Sequence, residues 1–253
     1  MARANYAMNL DKANNVRDLG GYPAANGKHT RWGQFLRGDN PSSLTQFDLE
    51  KLYRYGVRLQ IDLRSEAECR SQPSALMNFK DIKYININML DDFNSGTDGT
   101  GLPGDMADVY AKLLAYDGAK FASIMRKAIS CPDDCVFINC TAGKDRTGVT
   151  AMLLLKIAGC GDDVIIADYA ATYENIRREA ELVGEKFLKS FEGCRDMESI
   201  REKINILLRS NPDTMERTLS FFEAKFISAD GWMDSVGLSL NERNELRRKI
   251  IES

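Results

Sequence analysis

Residues 136–155 read VFINCTAGKDRTGVTAMLLL, and this stretch decides the fold. The apolar run at residues 136–138 predicts a buried strand, and the mostly apolar residues from 149 to 155 predict a helix. Between them, Cys140 stands six residues ahead of Arg146 across small and polar residues. A strand, a tight loop and a helix in this order direct backbone N–H groups and the positive end of the helix dipole at a bound anion. We call residues 140–146 the anion loop.

The anion loop carries a nucleophile and a cation. A cysteine at the mouth of such a loop is expected to be a thiolate near neutral pH, because its negative charge is stabilised there. The planar guanidinium of Arg146 can bind two phosphate oxygens and stabilise the charge that develops on them. A thiolate at Cys140 in a phosphate cradle predicts phosphoryl transfer through a phosphocysteine intermediate. The alternative is a buried free cysteine at the end of a core strand.

The remaining residues of this stretch favour close contact with a ligand. Gly143 and Gly148 allow sharp turns and a short distance between the backbone and the anion. Thr141 and Ala142 are expected to add backbone amides to the cradle. These residues are therefore predicted to bind substrate.

Two side chains beside Arg146 have two possible roles each. Lys144 adds positive charge that suits a substrate with more than one phosphate, or it balances Asp145. Thr147 can donate a hydrogen bond to the cysteine sulfur when the intermediate is hydrolysed, or it can cap the helix.

Residues 139–148 resemble the Cys-x5-Arg-Ser/Thr signature of the cysteine-dependent phosphatases. Within that class the chain resembles the bacterial and fungal tyrosine/serine protein phosphatases, whose upstream blocks occur here in the same order. These blocks read NVRDLGG at residues 15–21, LRG at 36–38, GVRLQIDLR at 56–64 and ADY at 167–169. The resemblance covers most of residues 9–176, with a weaker match near residue 237. It implies an enzyme that needs no metal or cofactor and acts on phosphoproteins, and the Ala-Gly-Lys of the loop also resembles the phosphoinositide phosphatases.

The resemblance leaves the general acid open. Asp145 occupies a position considered for acid duty in the subfamily, whereas Asp91 and Asp92 begin a long polar loop like the one that carries the acid in many relatives. We favour Asp145. Asp62 matches a subfamily aspartate and is expected to support the loop by hydrogen bonding. Asn139 stands where most relatives have histidine. It can form hydrogen bonds but carries no positive charge, so the pKa of Cys140 is expected to be higher than in those relatives. This predicts lower activity at mildly acidic pH.

Composition excludes several other classes of protein. The chain has 253 residues, 43% of them hydrophobic, and a formal net charge of −3, which argues against general nucleic-acid binding. No segment is apolar enough to span a membrane. Residues 1–10 lack the features of a signal peptide, so we expect a cytoplasmic protein, with export by another route left open. His29 is the only histidine and Cys131 and Cys135 have no second cysteine pair nearby, which makes a cysteine protease or a structural zinc site a poor fit.

The pattern of strands and helices predicts an α/β fold. Short β-branched runs at residues 57–63, 82–87 and 136–138 alternate with helical stripes, which is typical of a central, mostly parallel sheet flanked by helices. Residues 1–253 are expected to form a single domain. Residues 184–211 match the family poorly but carry apolar residues at helical spacing, and we interpret them as a helical lid or as an accessory helix on the far side.

The sequence thus predicts a hydrolase of phosphotyrosine proteins, with phosphoserine, phosphothreonine or phosphoinositides as further substrates. A phosphate-binding module without turnover is one alternative, and Asn139 is its only support. A thiol-based arsenate reductase or sulfurtransferase is another, but it leaves Arg146, Thr147 and the upstream blocks unexplained. The oligomeric state is open.

Overall fold

The computed structural model of this chain describes residues 7–89, 102–193 and 196–252. Its strands are β1 (Arg17–Asp18), β2 (Phe35–Gly38), β3 (Val57–Asp62), β4 (Lys83–Asn86) and β5 (Cys135–Asn139). They form a sheet of order β1-β2-β5-β3-β4, in which β1 and β2 are antiparallel and the remaining neighbouring pairs are parallel. The predicted α/β fold with a mostly parallel central sheet is confirmed.

Helices connect these strands and complete the carboxyl-terminal half. They are α1 (Gln46–Tyr55), α2 (Glu66–Ser71), α3 (Met106–Tyr116), α4 (Gly118–Ile129), α5 (Arg146–Ala158), α6 (Asp162–Ser190), α7 (Met197–Leu208), α8 (Pro212–Phe226), α9 (Ala229–Ser235) and α10 (Leu240–Ile250). Capping boxes begin α1, α2 and α10, where a serine or threonine side chain accepts from the third helical residue. Gly56 ends α1 in the left-handed conformation, at φ 109°.

The central strand β5 is buried on both faces. Val136 and Ile138 pack into the larger apolar core, together with residues of α3, α4 and α5. Cys135 and Phe137 point to the opposite face and pack with Leu52 of α1. This alternation explains why β5 reads as a continuous apolar run.

The start of α6 has no side-chain cap. Gly161 is the N-cap residue, and Asp162 and Asp163 follow it in the first turn. The Asp162 carboxylate accepts a hydrogen bond from Lys156 at 3.0 Å. This ion pair joins the first turn of α6 to the preceding helix, α5.

Residues 184–211 form part of two packed helices. Residue 184 lies inside α6, and Gly184 faces α7, where an added Cβ would stand 2.9 Å from Leu208. Ile200 and Ile204 of α7 pack with Leu188 in a small separate core. The polar loop predicted to begin at Asp91 and Asp92 starts outside the described residues. No helix in the described ranges is long and apolar enough to cross a bilayer.

The parallel strands β2, β5 and β3 run side by side, so their carboxyl ends meet at one edge of the sheet. The segments that follow these three strands begin at residues 39, 140 and 63, and they are brought together there. Ligands of open α/β sheets bind at this edge.

Candidate active site

The anion loop connects β5 to α5 at the carboxyl edge of the sheet. Cys140 directly follows β5 and is only 2% exposed, while Arg146 is the first residue of α5. The loop therefore lies at the amino end of a helix, as predicted, where unpaired N–H groups and the helix dipole favour an anion.

Segments from the amino-terminal half hold the carbonyl groups of the loop. The amide of Asn40 donates to the Thr141 carbonyl at 3.0 Å. The side chain of Asn15 donates to the Ala142 carbonyl at 2.8 Å. Arg37 donates to the Gly143 carbonyl at 2.7 Å.

The backbone amides of residues 141–145, unlike these carbonyl groups, have no hydrogen-bond partner among the described residues. Because the carbonyls are engaged and the amides are not, the loop offers a set of donors and few acceptors, which is the polarity that an anion requires.

Gly143 brings the loop against β2. Its φ is +67°, and an added Cβ would lie 2.5 Å from the backbone carbonyl carbon and oxygen of Gly38. Both the left-handed conformation and the close approach require glycine here. Gly148 was predicted to allow a sharp turn in the loop, but it has a helical position. It lies in the first turn of α5, where an added Cβ would contact Tyr169 at 3.3 Å and Arg37 at 3.5 Å.

A buried carboxylate organises the two arginines of the upstream blocks. Asp168 on α6 accepts from Arg17 at 2.8 Å and also from Arg37. Burial alone would raise the pKa of Asp168, but the charges of Arg17 and Arg37 and their hydrogen bonds lower it to about 2. Asp168 thereby fixes the guanidinium of Arg37, whose other nitrogen holds the Gly143 carbonyl.

Arg146 is paired with an acid from another helix. Its two terminal nitrogens donate to the two carboxylate oxygens of Glu68 on α2, at 2.9 and 3.1 Å. The hydroxyl of Thr141 also donates to Glu68. Burial raises the pKa of Glu68, but the hydrogen bonds from Arg146 and Thr141 outweigh it and lower the value to about 2. The bidentate pair orients the guanidinium in the position from which it can bind phosphate.

Thr147 lies at the second position of α5, so it is not the helix N-cap, which is Asp145. The predicted capping role is therefore wrong. Its hydroxyl oxygen is buried and has no hydrogen-bond partner among the described residues. A buried hydroxyl without a partner is costly, and this one remains available for a bound group or for the departing sulfur.

Asp145 takes part in a chain of hydroxyl groups. Its carboxylate accepts from the hydroxyl of Tyr110 on α3, which lies 2.8 Å from the hydroxyl of Tyr169 on α6. Burial and the charge of Asp145 raise the pKa of Tyr110 well above its usual value, so this phenol stays a donor. The competing candidates Asp91 and Asp92 lie outside the described residues.

Lys144 faces α7. Its ammonium donates to the carbonyl of Leu207 and, at 3.3 Å, to that of Arg209. It also lies 3.2 Å from the carboxylate of Asp145. The predicted balance between Lys144 and Asp145 is present, and the lysine has two further oxygen partners.

Asp62 and Asn139 form the floor beneath the loop. Both are fully buried at the ends of adjacent parallel strands. The Asn139 amide donates to Asp62 at 3.2 Å and accepts from Gln60 at 2.8 Å. The Asp62 carboxylate also binds the guanidinium of Arg64. Asp62 thus supports the loop indirectly, through its hydrogen bond with Asn139. The neutral amide of Asn139 satisfies both of its partners, because it donates to Asp62 and accepts from Gln60.

Comparison with known proteins decides the family. The family model described as "Tyrosine phosphatase family" matches residues 8–252. The chain belongs to this family. Its predicted membership of the cysteine-dependent tyrosine phosphatases is confirmed, since the match spans the anion loop and all the upstream blocks.

Three relatives of this tyrosine phosphatase-family chain carry related names. A Cupriavidus necator protein described as a tyrosine-protein phosphatase is 32% identical over 167 residues, which cover 63% of this chain and 60% of that protein. The tyrosine-protein phosphatase of Nostoc commune is 26% identical over 85% of this chain and 74% of its own length. The triple specificity protein phosphatase PtpB of Mycobacterium tuberculosis is 26% identical over 70% of this chain and 75% of its own length. The match to the first relative thus spans less than two thirds of that protein.

Glu68 and Tyr110 were not identified from the sequence as residues of this candidate site. Glu68 also closes the capping box with Ser65, and this spacing was a local signal for the helix but not for a partner of Arg146. Tyr110 is one of the buried, mostly apolar residues of α3, and this helical pattern contains no signal for its hydroxyl contact with Asp145. Among the described residues, no group of three or more histidine, cysteine, aspartate or glutamate side chains is placed to hold a metal ion.

Proposed function

We propose that this chain hydrolyses phosphomonoesters, with phosphotyrosine in proteins as its substrate, through a phosphocysteine intermediate. The observation that carries the proposal is the anion loop itself. Cys140 lies beside five backbone amides without an acceptor among the described residues, and Arg146 is held ready by Glu68. A phosphate dianion satisfies the amides and the guanidinium together.

In the first step, the Cys140 thiolate attacks phosphorus. A sulfur–phosphorus bond forms and the bond from phosphorus to the phenolic oxygen breaks. The loop amides and Arg146 stabilise the charge on the three equatorial oxygens. Asp145 is the general acid of this step and donates a proton to the departing oxygen.

In the second step, water attacks the phosphocysteine. Asp145 accepts a proton from the water, the sulfur–phosphorus bond breaks and inorganic phosphate leaves. The hydroxyl of Thr147, which has no other partner among the described residues, donates to the sulfur as its negative charge returns. The enzyme then stands as it began.

Substrates with one phosphate are favoured by the position of Lys144. Its ammonium is occupied by two carbonyl groups and by Asp145, rather than facing a second phosphate. The name of the Mycobacterium relative mentions triple specificity, so phosphoserine and phosphoinositide substrates belong in the test. Cytoplasmic location stays a prediction.

The test is phosphate release from p-nitrophenyl phosphate, phosphotyrosine and phosphoserine peptides, and a phosphoinositide panel, all in EDTA. Wild type should release phosphate most rapidly from phosphotyrosine, and Cys140→Ser should release none while still binding the peptide. Cys160→Ser is the matched control. Cys160 is also a buried free cysteine, at the far end of α5, where burial raises the pKa of its thiol to about 12.

Three outcomes would contradict the proposal. Binding of phosphopeptide without release by wild type would indicate a binding module. Release that survives in Cys140→Ser would place the nucleophile elsewhere. Thiol-dependent arsenate reduction or sulfur transfer from thiosulfate, without phosphate release, would indicate the alternative thiol chemistry.

A further inference from the structure

The side chain of Lys144 leaves the anion loop and ends at another element. It is only 3% exposed, although it carries a charge. Its ammonium donates to the carbonyl oxygens of Leu207 and Arg209 and forms an ion pair with the carboxylate of Asp145. The buried charge is therefore surrounded by three oxygen atoms.

The end of α7 is a suitable place for this cation. The last carbonyl groups of a helix have no intrahelical partner and carry the negative end of the helix dipole. Leu207 is in the last turn of α7, and Arg209 is its C-cap residue. Lys144, which lies outside this helix, therefore binds the terminal carbonyl groups that a lysine in the last turn of a helix usually binds.

Other contacts keep the end of α7 in place relative to α6. The Ser210 hydroxyl donates to the Ala170 carbonyl at 3.0 Å and accepts from the Tyr173 amide at 2.8 Å. α6 in turn carries Asp168, which holds the upstream arginines. Lys144 is a direct hydrogen-bonded link from this pair of helices to the loop.

We propose that Lys144 is a positioning residue that couples α7 to the anion loop, an inference that rests on the proposed phosphatase function. The backbone amide of Lys144 belongs to the cradle, and its side chain holds the carboxylate of Asp145. A shift of α7 therefore changes the geometry of the cradle and of the candidate acid together. Binding of an anion in the cradle, in turn, stabilises the end of α7, because coupling between two sites is reciprocal.

The first experiment measures hydrogen exchange of the α7 amides in Lys144→Gln. Lys156→Gln is the matched control, because the Lys156 ammonium also binds two acceptors, Asp162 at 3.0 Å and Glu223 at 2.9 Å, and is only 15% exposed. Exchange within residues 197–209 should be about tenfold faster in Lys144→Gln than in wild type, as expected for the loss of charged hydrogen bonds. It should be unchanged in Lys156→Gln. Equal exchange in the two variants would overturn the proposal.

A measurement on wild type covers the case in which Lys144→Gln fails to fold. Saturation with inorganic phosphate should slow exchange at residues 197–209. If phosphate binds and protects the loop but not this segment, the coupling is absent. Neither exchange experiment depends on turnover, so they decide the inference even if the chain releases no phosphate.

Kinetics separate a positioning role from a substrate contact. Lys144→Gln should lower kcat about tenfold for a phosphotyrosine peptide and for a bisphosphorylated phosphoinositide alike, with little change in KM. A rise in KM confined to the bisphosphorylated substrate would show that Lys144 binds a second phosphate, and it would overturn the proposal. Lys156→Gln should leave both constants at their wild-type values.

Discussion

Glu68 binds both terminal nitrogens of Arg146, at 2.9 and 3.1 Å, across 78 positions of sequence. The pair joins α2, which follows β3, to the first residue of α5. An arginine with this partner enters the reaction already oriented, so less conformational entropy is lost when it binds phosphate. The same carboxylate also places a negative charge near the substrate. Glu68 therefore has two opposite effects, orientation of Arg146 and competition with phosphate, and mutation can distinguish them.

We expect Glu68→Gln to lower kcat/KM for a phosphotyrosine peptide about tenfold or more, because the guanidinium loses its bidentate partner. Glutamine preserves the capping box of α2, so the helix should persist. Glu66→Gln is the control. It lies on the same helix and pairs with Arg70 at the surface, where an ion pair contributes little. A rise in kcat/KM for Glu68→Gln would mean that the carboxylate mainly competes with phosphate.

Gly143→Ala should abolish phosphate binding and activity. The added methyl group meets the backbone of Gly38 at 2.5 Å, which the buried strand β2 cannot relieve without moving the loop. Gly27→Ala is a matched control, since Gly27 has a similar φ of +71° but no atom within 4 Å of an added Cβ. That variant should lose about 1 kcal/mol of stability from the left-handed conformation and keep its activity. Measurable activity in Gly143→Ala would show that the loop tolerates displacement from β2.

Local features of this fold could be predicted from sequence, whereas contacts between distant segments could not. The strand, loop and helix around Cys140 follow from residue spacing, because each is determined by near neighbours. The capping boxes at Thr45 and Ser239 are also determined by near neighbours, because each joins two residues that are three positions apart. The partner of Arg146 lies on another helix, and the spacing of residues along the chain contains no information about that pairing.

The upstream blocks illustrate the same limit. The resemblance identified Arg17 and Arg37 as part of the family pattern but gave them no role. The structure shows that Arg37 holds the loop and that Asp168, from a third block, holds both arginines. Lys144 is a further case, since its contact with α7 joins the loop to the segment that matched the family least.

Asp168→Asn should destabilise the fold by about 3–5 kcal/mol, because it leaves two buried guanidinium groups without a counter-charge. Thermal unfolding should show a lower Tm than that of wild type, and the loop should bind phosphate less tightly. Asp162→Asn, at a partly exposed ion pair with Lys156, should change Tm little.

The stability difference between wild type and Asp168→Asn should depend on pH. The pKa of Asp168 is lowered to about 2 in the folded state, below its usual value near 4. The stabilisation is therefore complete above about pH 4 and is lost as the pH falls from there towards about 2. The two melting curves should converge over this range. A constant difference down to pH 2 would show that the charge of Asp168 is not what stabilises the fold.

Asp145→Asn tests the general acid through the leaving group. If Asp145 protonates the departing oxygen, its loss matters most when that oxygen is a poor leaving group. We expect kcat for phosphotyrosine peptides to fall about a hundredfold or more, and kcat for an aryl phosphate with an acidic phenol, such as p-nitrophenyl phosphate, to fall far less. Asparagine can still accept a hydrogen bond from Tyr110 and contact Lys144, so the local structure should be retained. Tyr110→Phe removes the hydroxyl donor but keeps the acid, and it should lower both rates by a similar, smaller factor. Equal losses on both substrates in Asp145→Asn would assign the proton to another group.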